Sequence, residues 1–148
     1  MDDLEADRQS LANVINLGLL WHCLCAITRL HVPERLAMGP LPVPELAAGT
    51  GTDRDALYRV LRLLADHGIV TLEGDLAGLT ERGRLLCPDH PRSIQAAFAT
   101  VGVADVAHAL VDTLRTGRPA APAVLGAPYW DYLAAHPDQQ ALFDEAMR

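Results

Sequence analysis

Residues 52–86 carry the clearest structural signal in the chain and read TDRDALYRVLRLLADHGIVTLEGDLAGLTERGRLL. Thr52 is a candidate N-cap, with Asp55 three residues later in the manner of a capping box. Gly68 supplies a left-handed C-terminal stop. Between these signals, apolar residues recur at the i, i+3, i+4, i+7 spacing of an amphipathic helix: Leu57, Val60, Leu61, Leu64 and Ala65.

The second half of this stretch predicts a β-hairpin followed by a short helix. Ile69–Leu72 and Leu76–Leu79 are candidate strands, and Glu73-Gly74-Asp75 between them is a tight turn. Thr80 is then a candidate cap for a helix over Glu81–Leu86. A helix followed by a two-stranded wing predicts a winged helix-turn-helix.

The residues before this stretch predict further helices. Apolar spacing indicates one helix over Leu4–Leu20 and another over Cys23–Leu30, with Pro33 marking its end or a short break. Gly39–Pro44 holds three prolines and is predicted to be a loop. A short helix is expected over Glu45–Ala48.

The residues after it are also predicted to be helical. Ser93 is a candidate cap for one long helix to about Leu114, which Thr116-Gly117-Arg118-Pro119 ends. Two final helices are expected over Tyr129–Ala134 and Asp138–Met147. The predicted fold is therefore mainly α with a small two-stranded wing, in a single domain over residues 1–148.

Composition narrows the class of protein. The 148 residues are 50% hydrophobic, which favours burial of some surface against a second copy. The formal net charge is −7, which disfavours nucleic acid and anionic membranes as partners. The first residues are acidic, and the longest apolar run, Leu17–Ile27, is interrupted by His22. With an odd number of cysteines at no framework spacing, we expect a cytoplasmic protein.

Several motifs in one order resemble the start of the S-adenosylmethionine-dependent O-methyltransferases of natural-product biosynthesis. Leu46-Ala47-Ala48-Gly49-Thr50-Gly51 with the helix after it is similar to that family's helix-turn-helix. The stretch Leu79–Leu86 is similar to its wing and following helix. The carboxyl-terminal matches are Arg115-Thr116-Gly117, Tyr129-Trp130-Asp131-Tyr132-Leu133 and Phe143-Asp144-Glu145-Ala146-Met147.

The resemblance implies a homodimer of intertwined domains whose helices line part of a small-molecule pocket. It also implies that the methyl donor binds a following Rossmann-like domain, before which this chain ends. No G-x-G-x-x-G motif occurs in the sequence, so we expect no cofactor on this chain and no methyl transfer by it alone.

Candidate site residues follow from the same resemblance. The family usually has a Trp where this chain has Val106-Ala107-His108, and often a Phe where it has Ala121. The space left by these smaller residues is expected either to form a cavity or to be filled by a neighbouring side chain. His108 is the candidate catalytic residue because a histidine can act as an acid, a base or a hydrogen-bond donor toward a bound polar ligand. The candidate substrate-binding residues are Trp21, His22, Phe98, Val101, Asp105 and Trp130. His22 and Cys25 share a helix face but lack further ligands, so no metal site is expected.

Three functions remain open at this point. The first is a dimerisation and small-molecule-binding domain, for a polyketide or aromatic natural product. The second is a stand-alone cyclase or isomerase with a pocket at the dimer interface. The third is a winged-helix transcription regulator. Arg54, Arg59 and Arg62 on the candidate recognition helix are interspersed with aspartates, which disfavours the third.

Overall fold

A computed structural model describes residues 3–148, which form two compact units, one ending at Ser93 and the other spanning Ile94–Arg148. The chain is mainly helical with one small antiparallel sheet, as the sequence predicted. The assignment of the whole chain to a single domain stays a prediction.

The first unit begins with one long helix, α1 (Asp3–Arg29), where the sequence predicted two. Trp21 and His22, at the predicted break, are compatible with helical geometry and the hydrogen-bond ladder continues through them. The helix ends just before His31, which has a left-handed backbone (φ 58). Pro33 follows as an early residue of α2 (Val32–Ala37), because proline is tolerated in a first helical turn. The prediction that the chain breaks near Pro33 is therefore confirmed.

Helices α3 (Val43–Thr50) and α4 (Arg54–Asp66) complete the core of the first unit. Helix α3 is longer than predicted and ends at Gly51, whose φ of 67° gives the left-handed cap. Helix α4 has the predicted spacing, and its apolar side is buried at Leu57, Leu61 and Leu64. Further fully buried side chains of this core are Ile27, Val32, Leu36, Val43 and Leu46.

The sheet has three antiparallel strands, one more than predicted. The hairpin strands are β2 (Val70–Glu73) and β3 (Leu76–Leu79), and β1 (Leu41–Pro42) adds to the free edge of β3. The prediction of a loop over Gly39–Pro44 is thus wrong for these two residues. Pro42 is tolerated because β1 is an edge strand and needs no donor on its outer side. Helix α5 (Glu81–Arg84) follows, with the predicted cap, as Thr80 accepts a hydrogen bond from Gly83 N at 3.0 Å.

The second unit lacks the single long helix predicted from Ser93 to Leu114. Instead it has α6 (Gln95–Ala99), α7 (Val103–Val106), a 3₁₀ turn (Ala107–Ala109) and α8 (Leu110–Thr116). The first interruption is Thr100-Val101-Gly102, where two β-branched residues and a glycine disfavour helix. As predicted, the chain turns after α8 at Gly117, which has φ 68°.

The chain ends in three short helices. These are α9 (Ala121–Leu125), which the sequence analysis missed, α10 (Tyr129–Ala135) and α11 (Pro137–Ala146), which lie within a residue of their predicted positions. Leu133 is completely buried and anchors α10. Trp130 on the same helix is 66% exposed and packs edge-to-face against Tyr129 and Phe143, each with ring centroids 5.5 Å away.

Candidate functional site

The first half of α1 carries a large exposed apolar surface. From Leu4 to Leu19, which we call the projecting segment, every side chain except Ala12 is exposed. Six of them are large and apolar and are 55–75% exposed: Leu4, Leu11, Val14, Ile15, Leu17 and Leu19. Burial along α1 begins only at Leu20. An apolar surface of this size on one helix is typical of a contact with another protein surface.

These apolar side chains extend more than halfway around the helix. At 3.6 residues per turn, they span about 200° of its circumference. The remaining arc is polar, and Gln9 and Asn13 on it share a hydrogen bond at 3.1 Å. The apolar arc itself is interrupted near the start of the helix by Asp7, Arg8 and Ser10, of which Arg8 is bound to Glu5 at 2.8 Å. A helix packed on one flat surface needs only about 100° of apolar arc. The projecting segment therefore has the pattern of a helix that is covered from more than one side.

A groove between α1 and α4 continues this surface within the first unit. It encloses about 370 Å³ and is lined by Leu19, Cys23, Ala56, Arg59, Val60 and Leu63. Burial raises the pKa of the Cys23 thiol, so the groove holds a neutral thiol rather than a nucleophilic thiolate. Leu19 belongs both to the groove and to the projecting segment, and Arg59 is the one charged side chain among the groove residues named.

The charges of α4 are partly neutralised by neighbouring carboxylates. The Arg54 guanidinium donates two hydrogen bonds to the Asp75 carboxylate, at 2.8 and 2.9 Å, and one to Asp55 at 2.8 Å. These contacts, led by the hydrogen bonds to Asp75, raise the pKa of Arg54. An arginine held in this way does not present a free cation to a phosphate backbone.

The second unit contains an apolar cavity of about 330 Å³. It lies among α7, the segment before α9, and the last two helices, and its lining residues are Gly102, Val106, Pro119, Ala120, Ala121, Tyr129 and Phe143. Val106 and Ala121 are two of the positions at which the sequence analysis expected small residues to open space. This volume is within the range of small-molecule sites.

Tyr129 is the main polar group of this cavity. Its hydroxyl donates to the Val101 carbonyl at 3.1 Å, and the Gln139 side-chain oxygen accepts from Val101 N at 2.8 Å. Burial is the main cause that raises the pKa of Tyr129. A hydrogen bond with Thr100 opposes this rise in the pKa, and the Asp105 carboxylate adds to it. The phenol therefore stays protonated at neutral pH and retains an oxygen lone pair that can accept a hydrogen bond.

The structure brings only some of the predicted site residues near this cavity. Val101 and Asp105 are half-buried beside it, and Asp105 accepts a hydrogen bond from Gly102 N at 3.0 Å. Phe98 is half-buried on α6. His108 is exposed on the 3₁₀ turn and is not among the cavity's lining residues.

The remaining predicted site residues lie elsewhere. Trp130 points largely to solvent. Trp21 is half-buried and His22 exposed on α1 of the first unit. The sequence-based site residues did not include Tyr129 or Phe143, although they included Trp130, which is next to Tyr129 in the chain. A hydrogen bond to a carbonyl 28 positions away leaves no periodic signal in a sequence.

Two further features bear on binding. Among residues 3–148, no group of three or more His, Cys, Asp or Glu side chains is placed to hold a metal ion. In length and composition, α1 over Leu4–Arg29 resembles a membrane-spanning helix, but the core helix of a soluble protein meets the same criteria, so this is weak evidence. The sequence-based exclusion of a membrane therefore stays a prediction.

Comparison with known proteins identifies the family. Residues 13–89 match the O-methyltransferase dimerisation domain, and the chain belongs to this family, which confirms the resemblance found in the motifs. The match covers the second half of α1, the helices α2–α5 and the sheet.

Individual relatives are methyltransferases. The chain is 37% identical over 130 residues to 8-amino-8-demethylriboflavin N,N-dimethyltransferase of Streptomyces davaonensis, covering 84% of this chain and 38% of that protein. It is 35% identical over 123 residues to 2,7-dihydroxy-5-methyl-1-naphthoate 7-O-methyltransferase of Streptomyces carzinostaticus, covering 80% and 37%. The crystal structure of TnmH matches with a TM-score of 0.85 and 38% identity, over 99% of this chain and 44% of that one. The chain thus spans about two-fifths of the length of these relatives.

Proposed function

We propose that this chain is a dimerisation domain that forms a homodimer through the projecting segment of α1 and contributes to a binding site for a small aromatic molecule. In this proposal α3, α4 and the β2–β3 hairpin serve as a winged-helix core that holds α1 in place. The protein works in the cytoplasm, and its own residues bind no cofactor.

The observation that carries the proposal is the exposure of six large apolar side chains spread over more than half the circumference of a single helix. Covering a fully exposed Leu or Ile gains about 1.5–3 kcal/mol per side chain before the entropy cost of association is subtracted. The apolar arc of about 200° favours a partner that surrounds the segment, as in an intertwined dimer. A second copy of the chain is the simplest such partner.

Sedimentation equilibrium of the purified protein tests this. We expect a dimer for the unmodified chain and a monomer for Ile15→Asp, which places a charge within the apolar arc. Asn16→Asp adds the same charge on the polar arc and is expected to leave the dimer intact. A chain that is monomeric at every concentration examined contradicts the proposal, as does an Ile15→Asp variant that dimerises normally.

The small-molecule part of the proposal rests on the apolar cavity with Tyr129 at its wall. The two relatives named above act on a riboflavin derivative and a naphthoate, both aromatic compounds. A flat apolar ligand with one donor group toward the Tyr129 oxygen suits this lining.

We further propose that the chain transfers no methyl group by itself. The relatives' activity belongs to proteins of which this chain aligns with about two-fifths, and the sequence contains no G-x-G-x-x-G motif. Incubation with S-adenosylmethionine and an aromatic hydroxy acid, followed by mass spectrometry, is expected to give no product 14 Da heavier, the mass of one added methylene. Formation of that product overturns this part of the proposal.

The two alternatives gain no specific support. A cyclase or isomerase using His108 requires that residue at a ligand, whereas His108 is exposed and does not line the cavity. A transcription regulator requires a free basic stripe on α4, whereas two carboxylates hold Arg54. Both stay predictions, and a gel-shift assay at low salt tests the second.

A further inference from the structure

Helix α1 contains a single glycine, Gly18, in a place where nothing within the chain requires one. The backbone there is helical, and a Cβ built on Gly18 would meet no atom within 4 Å. Glycine is the least favourable residue after proline for a helix interior, because it loses the most backbone freedom on folding. Neither its backbone dihedrals nor its neighbours in the chain therefore account for a glycine at this position.

The position of Gly18 relative to the apolar residues is informative. At 100° per residue, Gly18 lies on the apolar arc of α1, between Val14 and Leu11 when the helix is viewed along its axis. Ile15 and Leu19, both exposed, complete the rim around it. Over Leu11–Leu19 the arc is therefore made of large apolar side chains with a notch at Gly18, where the helix backbone itself is accessible.

We propose that a helix of a second copy of this chain crosses α1 at Gly18, with its backbone seated in this notch. This inference rests on the homodimer proposed above and adds the point of closest approach. The occupant is a second copy because Gly18 lies within residues 13–89, which match a dimerisation domain. Helices usually pack 8–10 Å apart, a distance set by the side chains at the contact, and a glycine permits a closer approach there.

The notch also allows one helix of the partner to cover the large side chains on both sides of Gly18 at the same time. With the partner's helix close to the backbone at Gly18, Val14 and Ile15 can pack along its two flanks. A methyl group at position 18 would push the helices apart and loosen both contacts. Because an interface is packed as densely as a protein core, one added methyl group at the crossing weakens the association.

Gly18→Ala is the decisive variant, because alanine raises helix propensity and the folded monomer is not at risk. We expect its dimer dissociation constant, measured by sedimentation equilibrium, to rise about tenfold or more, while helix content by circular dichroism is unchanged or higher. Gly18→Leu is expected to give a monomer. The control is Ala6→Leu, which adds three carbons just outside the apolar arc of the same helix, one fewer than Gly18→Leu adds, and is expected to dimerise normally.

The outcomes separate the two proposals. If the unmodified chain dimerises and Gly18→Ala dimerises as tightly or more tightly, the crossing at Gly18 is wrong and the homodimer stands. If Ala6→Leu weakens the dimer as much as Gly18→Leu, the notch has no special role and the inference again fails. If the unmodified chain never dimerises, the proposed homodimer itself is wrong.

Discussion

The start of α4 illustrates how neighbouring residues with similar propensities compete for one structural role. Thr52 and Asp53 are both good N-caps, and the sequence analysis chose Thr52. The structure instead uses Asp53, whose backbone is extended and whose carboxylate accepts a hydrogen bond from Ala56 N at 2.8 Å. Thr52 shares a hydrogen bond with Thr50 across the α3–α4 turn at 3.0 Å. The helix was predictable to within one or two residues, but the choice of cap depends on how the turn orients the two side chains.

We therefore expect Asp53→Ala to lower the free energy of unfolding by about 1 kcal/mol, the usual cost of losing an N-cap. Thr52→Ala is the control and is expected to have a smaller effect, because Thr50 keeps its hydrogen bond to the Leu46 carbonyl at 2.8 Å. Urea denaturation followed by circular dichroism measures both. A larger loss for Thr52→Ala would reverse the assignment of the cap.

Among the elements, the short ones were the hardest to predict. Helix α4, the hairpin and the last two helices follow from periodicity and caps, since each carries its own signal. The segment from Ser93 to about Leu114 was predicted as one helix because its residues are mostly helix-compatible. Thr100-Val101-Gly102 disfavours helix only weakly, and tertiary contacts fix the break there: Tyr129 and Gln139, both distant in sequence, take the carbonyl and amide of Val101 as hydrogen-bond partners. The same contacts placed Tyr129 at the cavity, which is why the sequence did not reveal it.

The link between α10 and the break at Val101 is open to a direct test. Tyr129→Phe removes the hydroxyl that donates to the Val101 carbonyl, and we expect it to cost about 1 kcal/mol of unfolding free energy. Tyr132→Phe on the same helix is the control with a smaller expected effect, because a phenylalanine keeps the stacking of Tyr132 on His136. Equal losses in the two variants would argue against a specific role for the Tyr129 hydroxyl.

The unmodified chain and Tyr129→Phe should also differ in how their stability changes in alkaline solution. The pKa of Tyr129 is raised in the folded chain, chiefly by burial, above its ordinary value of about 10. As pH rises, Tyr129 therefore loses its hydroxyl proton in the unfolded chain before it does so in the folded chain. The stability that the protonated phenol contributes is intact below the pKa of the unfolded chain, and it is lost as the pH rises through the pKa of the folded chain. Unfolding free energies measured between pH 8 and about 11 should decline more steeply for the unmodified chain than for Tyr129→Phe. Parallel curves would contradict this.

For the whole molecule, the main consequence of the structure is that the chain is incomplete as a monomer. The projecting segment has apolar side chains that no part of the described chain covers, and a helix this exposed gains little stability from its own propensity. A partner that binds only the folded chain stabilises it by mass action, so stability depends on protein concentration. We expect the apparent melting temperature to rise by several degrees over an approximately hundredfold increase in concentration. Differential scanning calorimetry is the measurement, with Ile15→Asp as the matched variant that has lost the apolar contact and should melt at one temperature throughout. A melting temperature independent of concentration in the unmodified chain, together with a monomeric mass, would contradict the homodimer.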